Sequence, residues 1–128
     1  MKWLITGGCG FIGTNLIRCL KSQGGHHIRV LDNLSTSCRD DISKITDFRE
    51  KKISELEDNC DHVELLVGDI LDETKIYKAA HSVDTIVHLA ANTGVGPSVE
   101  DPRSDCMNNV LGTFNMLESA LSYWQISG

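Results

Sequence analysis

Short apolar runs alternate along the chain with longer stretches whose apolar residues recur every three or four positions. That alternation predicts βαβ units on a parallel sheet, an α/β chain. The first strand is Lys2 to Thr6, and a glycine turn leads into a helix over Phe11 to Gln23 with Ile12, Leu16, Cys19 and Leu20 as its stripe. Gly24-Gly25 supplies a left-handed stop. A second strand, His27 to Leu31, and a polar connector, Asn33 to Asp41, precede a helix expected over Ile42 to Asn59, where Ile42, Ile45, Ile53 and Leu56 share a face and Arg49 interrupts it. A third strand spans His62 to Val67, and a helix follows over Asp72 to His81. The fourth strand, Asp84 to Ala90, hardly alternates, as expected of a strand covered on both faces. After a loop, Ala91 to Asp101, a last helix is expected from Pro102 to Trp124. Met107, Val110, Leu111, Phe114, Leu117, Leu121 and Trp124 form its stripe.

Length and charge narrow this picture. The 128 residues suit one domain or part of one. A formal charge of -6 speaks against a nucleic-acid or anionic-membrane surface, either of which needs a basic patch. No apolar run reaches the roughly 20 residues that cross a bilayer, and the apolar start meets glycines too early for a signal peptide, so a cytoplasmic protein is expected. Five cysteines without a Cys-x-x-Cys pair read as reduced thiols, mostly core fillers, with neither a disulfide framework nor a metal site.

The chemistry concentrates at Thr6-Gly7-Gly8-Cys9-Gly10-Phe11-Ile12-Gly13, between the first strand and the first helix. Glycines there permit a tight turn and close approach of a pyrophosphate to main-chain N–H groups, and the helix N-terminus favours negative charge. Two spacings fit, Gly8-x-Gly10-x-x-Gly13 and Gly7-x-x-Gly10-x-x-Gly13, and the residues alone do not select between them. Asp32 ends the second strand 19 residues beyond Gly13, where an acid accepts from ribose hydroxyls and repels a 2′-phosphate. NAD is therefore expected over NADP. His88 sits inside an apolar strand and reads as a hydrogen-bonded core residue rather than a catalyst. Asp40-Asp41 and the Glu55, Glu57, Asp58 group read as solvated charge, so no acid–base dyad emerges.

Together with Leu31-Asp32-Asn33-Leu34-Ser35, Gly68-Asp69-Ile70, His88-Leu89-Ala90-Ala91 and Asn109-Val110-x-Gly112-Thr113, this glycine turn resembles the extended short-chain dehydrogenase/reductases. The likeness is to the NAD-dependent sugar-nucleotide epimerases and dehydratases, of which the UDP-glucose 4-epimerases are one kind. It implies a partial Rossmann fold, a doubly wound parallel sheet of order 3-2-1-4 with helices on both faces. It also implies the glycine spacing through Gly7, Gly10 and Gly13, with Phe11 and Ile12 giving N–H groups to pyrophosphate. Asp32, Asn33, Ser35 and Thr36 would surround the adenosine ribose, and Asp69 and Ile70 the adenine edge. Leu89, Ala90 and Ala91 would floor the nicotinamide-side ribose, Asn92 and Thr93 would add hydrogen bonds, and Asn109 would lie near the nicotinamide.

The family reaction uses a Tyr-x-x-x-Lys pair, and neither Tyr77, with His81 at that offset, nor Tyr123, with Ser127, supplies one. No catalytic residue is therefore assigned. Residues 1–128 are expected to form the N-terminal part of an NAD-binding domain that lacks the later strands and the substrate region, inactive alone. A nucleotide sugar is the substrate implied for the whole enzyme. The alternative is a non-catalytic dinucleotide-binding or sensor protein of the same fold. An edge left open at the fourth strand and the stripe of the last helix lead to a further expectation, a homo-oligomer formed through that helix.

Overall fold

The computed structural model describes residues 1–127, with side chains through Ser122. Five parallel strands, β1 (Lys2–Thr6), β2 (His27–Asp32), β3 (Phe48–Glu50), β4 (Val63–Val67) and β5 (Thr85–His88), form one sheet in the order β3-β4-β2-β1-β5. The four expected strands keep their expected neighbours, and β3 is an addition at the edge beyond β4. Register runs Thr6↔Leu31 and Thr6↔His88 on either side of β1, so the C-terminal ends of β2, β1 and β5 lie side by side.

Helices cover both faces. α1 (Phe11–Gln23) and the short α2 (Arg39–Ser43) pack on the face of Ile5, Ile28, Val30, Val63 and Leu65. α3 (Glu73–Ala80) and α6 (Gly112–Ser127) lie on the opposite face, over Leu4, Leu31 and Leu66. The buried face of α1 is Gly13, Ile17 and Leu20. Cys19 and Ile12, assigned to its stripe from spacing, are exposed. Cys38 and Cys106 are exposed too and Cys60 is half-buried, so of the five cysteines expected mostly as core fillers only Cys9 is buried.

The expected helix over Ile42 to Asn59 is overturned. In its place stand α2, the edge strand β3, whose Phe48, Arg49 and Glu50 pair with Val63, Glu64 and Leu65, and a 3-10 turn over Ile53–Glu55. Ile42 and Ile45 pack on one side of the sheet and Ile53 and Leu56 on the other. A chain crossing the sheet edge thus mimicked a helical stripe. The expected loop over Ala91 to Asp101 likewise contains α4 (Val95–Glu100), introduced by Gly94 at φ 109°. Pro97 falls in the first turn, where a missing N–H costs nothing.

The last helix is three pieces: α5 (Pro102–Cys106), a wide π-helical turn over Met107–Leu111, and α6. Asp101 caps α5 by accepting from the Ser104 N–H at 3.0 Å. The inner face of α6 is Gly112, Asn115, Met116 and Ser119, and a Cβ on Gly112 would collide with Ile70. Phe114, Leu117 and Leu121 point outward at 52%, 65% and 57% exposure, so the apolar stripe read from spacing is uncovered as far as Leu121. Trp124 lies outside the described side chains. β5 has a paired neighbour only in β1 among the described residues, and its four residues are half-buried, unlike a strand covered on both faces.

Candidate dinucleotide cleft

A cleft of about 400 Å³ opens where the C-terminal ends of β2, β1 and β5 meet the start of α1. Its size is within the range of small-molecule sites, roughly 300–1,000 Å³. The glycine turn forms its centre. Gly7 adopts φ +65°, and a Cβ there would stand 2.8 Å from the Ala90 nitrogen. At Gly13 a Cβ would stand 2.5 Å from Gly8 Cα and 2.7 Å from the Gly7 oxygen. The turn closes with the Gly10 N–H donating to the Gly7 oxygen at 3.1 Å. Gly7, Gly10 and Gly13 line the cleft, whereas Gly8 packs against Val30. All three glycines of the Gly7-x-x-Gly10-x-x-Gly13 spacing thus lie in the cleft wall, and Gly8 of the other spacing does not.

Helix α1 starts at this turn without a side-chain cap. Its first N–H groups have no carbonyl partner within the helix, and its dipole end is positive. Phe11 and Ile12 line the cleft with their side chains largely in solvent.

On the β2 side, Asp32 is buried to 7% exposure. Its Oδ2 accepts from the Cys9 N–H at 2.9 Å, and its Oδ1 accepts from the Leu34 N–H at 2.9 Å and the Ser37 hydroxyl at 3.3 Å. Burial first, and then the Asp32 charge, push the Cys9 thiol up to about 12, which keeps it protonated beneath the turn. Asn33, Ser35 and Thr36 join Asp32 in the lining, with Ser37 beside them. Ser37 was not foreseen; its position after a turn-rich run gave no signal of its own.

Gly68 and Ile70 line the same side. Asp69 does not appear in the wall: its Oδ1 accepts from the Leu71 N–H at 2.9 Å, and Asn33 Nδ2 reaches its Oδ2 at 3.5 Å.

On the β5 side the walls are Leu89, Ala90, Ala91, Asn92 and Thr93. Thr6 fixes this segment, because its hydroxyl oxygen accepts from the Leu89 and Ala90 N–H groups at 3.1 and 3.2 Å. His88 lies 2.6 Å from the same hydroxyl through Nδ1 and 3.2 Å from the Thr113 hydroxyl through Nε2. Thr113 spends its proton on the Asn109 carbonyl at 2.7 Å, so it accepts from His88 Nε2–H and the ring takes the Thr6 proton at Nδ1. Burial holds the His88 pKa below its ordinary value. The ring is a neutral bolt under the cleft floor.

Asn109, assigned from the family pattern to the nicotinamide side, stands behind the cleft wall rather than in it. Asn108 lines the cleft, while the Asn109 amide is taken up by the Asn92 backbone and Asp105. The two neighbours look alike in sequence, and only the wide turn at Met107–Leu111 tells them apart.

Outside the cleft, His27, Cys60 and Glu64 bring ligand-type atoms within 4.8 Å of one another. The Cys60 N–H donates to His27 Nδ1 at 2.8 Å, so the ring proton sits on Nε2 and faces Glu64 at 3.2 Å. Burial pushes the Cys60 thiol up to about 11, and the Arg29 guanidinium bonds the same carboxylate oxygen at 3.0 Å. These atoms form a buried hydrogen-bond network whose nitrogen is already protonated where a metal would bind.

The sequence model of the GDP-mannose 4,6 dehydratase family matches residues 4–127. A UDP-glucose 4-epimerase of Yersinia enterocolitica is 37% identical over 120 residues, covering 92% of this chain and 32% of that protein. A dTDP-glucose 4,6-dehydratase of Xanthomonas campestris is 32% identical over 125 residues, covering 96% and 32%. The chain thus spans about a third of the length of these curated relatives. Among solved structures, the Thermus thermophilus UDP-glucose 4-epimerase complex with NAD superposes with TM-score 0.75 at 31% identity, over 96% of this chain and 34% of that one. A Streptomyces venezuelae dTDP-glucose 4,6-dehydratase with NAD and TYD bound gives TM-score 0.79 at 28% identity, over 96% and 36%. No helix among the described residues is long and apolar enough to cross a membrane.

Proposed function

We propose, for a chain that belongs to the GDP-mannose 4,6-dehydratase family, that the cleft holds NAD for a nucleotide-sugar epimerase or dehydratase. The observation that carries this reading is the fixed Asp32 carboxylate at the end of β2, beside a glycine turn whose Cβ-free surface and uncapped helix end suit a pyrophosphate. Two backbone N–H groups and the Ser37 hydroxyl use three of about four acceptor positions on that carboxylate. The Ser37 bond, the longest at 3.3 Å, is the one a ribose hydroxyl replaces. A 2′-phosphate at the same place meets a buried negative charge. Leu89 and Ala90, held by Thr6, receive the second nucleoside together with Ala91, and Asn108 faces it.

When bound, NAD supplies hydride acceptance and return at the sugar. The residues described here bind and orient it. Epimerisation or dehydration of a nucleotide sugar is proposed for the whole protein, with proton transfer assigned to none of these residues.

Calorimetric titration with NAD and NADP tests the reading. NAD binding at least about tenfold tighter than NADP is expected from one charge repulsion near a buried carboxylate. Asp32→Ala weakens NAD and narrows that difference. Equal affinities in the unaltered protein, or an Asp32→Ala variant with both affinities unchanged, would reduce Asp32 to a loop cap.

A further inference from the structure

Strand order places Asp32 and Ala90 on opposite sides of β1, so the cleft has two halves. A dinucleotide with its adenosine ribose at Asp32 puts its second nucleoside against residues 89–93. Leu89 and Ala90 are fixed from below by Thr6, but the exposed stretch Ala91 to Thr93 has no strand partner among the described residues. It is secured from α5 and the wide turn. Asn109 Oδ1 accepts from the Asn92 N–H at 2.7 Å, and Asn109 Nδ2 donates to the Asn92 oxygen at 3.0 Å. Its other amide proton goes to Asp105 Oδ1 at 3.2 Å, and Asp105 Oδ2 accepts from the Ser98 hydroxyl of α4 at 3.0 Å.

Every donor of the Asn109 amide is thereby used, and its oxygen is aimed by the two bonds its nitrogen makes. A side chain that pairs with both backbone groups of one residue imitates a strand partner. It fixes the path of that residue without touching a ligand. The carboxylate of Asp105 sets the amide's orientation, since only the NH₂ end can face it. Asn108, next to it, lines the cleft with its Nδ2 donating to the Ser104 carbonyl at 3.0 Å.

Resting on the dinucleotide reading, we propose that Asn109 is a positioning residue: with Asp105 and Ser98 it holds residues 91–93 as the wall that grips the second nucleoside. The adenosine half, built on β2 and the glycine turn, does not depend on it.

The test compares NAD with ADP, which lacks the second nucleoside, on the purified protein by calorimetry, together with amide hydrogen exchange of the ligand-free protein. The unaltered protein is expected to bind NAD more tightly than ADP. Asn109→Ala is expected to weaken NAD by about five- to thirtyfold, the factor one or two net hydrogen bonds carry, with ADP affinity changed less than about twofold. It also removes exchange protection at the Asn92 amide. Asn109→Asp, which keeps the acceptor but sets a carboxylate against Asp105, behaves like the alanine variant. Equal loss of NAD and ADP would make Asn109 a general structural residue and overturn the proposal, as would retained NAD affinity in Asn109→Ala. An unaltered protein that binds ADP and NAD equally well overturns it too, because the second nucleoside is then not gripped. Binding of neither ligand sinks the dinucleotide reading itself, and this proposal with it.

Discussion

Beneath the cleft floor, His88 has one consistent proton arrangement, taking a hydrogen bond from Thr6 and giving one to Thr113. A second ring proton would face the Thr6 hydroxyl, whose oxygen already accepts two backbone N–H groups. Burial lowers the His88 pKa in the folded chain below the ordinary 6.5. The sign follows from linkage. Below about pH 6.5 the unfolded chain takes up a proton that the folded chain refuses, so stability is full above that value and falls as the pH drops toward the folded pKa. Denaturant unfolding between about pH 7.5 and 5.5 should show this loss, and His88→Gln should flatten it. An unchanged slope in the variant would place the acid sensitivity elsewhere. The pairing of this histidine was legible in sequence, because a titratable group inside Thr85-Ile86-Val87-His88-Leu89 must be hydrogen-bonded as it leaves water, but the ring is half-buried rather than in the core.

At the scale of elements, β1, α1, β2, β4, α3 and β5 follow from periodicity to within two residues at each end, since their apolar positions all serve one local geometry. Residues 42 to 59 did not yield, because their apolar side chains divide between the two faces of the sheet, and spacing records distance along the chain rather than which side is reached. Arg29 was equally silent. It is buried in β2, bonded to Glu64 of β4 and to the carbonyls of Ala79, His81 and Glu57, while Glu64 also accepts the Glu57 N–H at 2.9 Å. This pair ties the connector after the 3-10 turn and the end of α3 to the sheet. Removing one partner strands a buried charge, so Glu64→Ala should destabilise the protein by about 3–5 kcal/mol. Chemical denaturation giving less than about 1 kcal/mol would mean that water reaches Arg29 and that the connector opens easily.

For the molecule as a whole, the exposed Val110, Phe114, Leu117 and Leu121 form an apolar surface along the wide turn and α6. Covering it returns about 25 cal/mol for each Å² removed from water. Association through this surface is accordingly proposed, with Phe114→Asp expected to shift sedimentation toward monomer while NAD affinity stays unchanged. A monomer across micromolar concentrations in the unaltered protein would leave this surface without a self-partner. The cleft was the more legible feature, since glycines and an acid at fixed spacing carry their geometry with them. The choice between Asn108 and Asn109 was not, because it depends on a single wide turn.

The cleft reading requires one dinucleotide to lie across the ends of β2, β1 and β5. Titrating isotope-labelled protein with NAD and following backbone amide resonances tests it most directly. The account predicts shifts at Gly10 to Gly13, at Asn33 to Ser37 and at Leu89 to Thr93, saturating together with one affinity. Absence of shifts at saturating NAD, or shifts confined to residues outside those three segments, would contradict it.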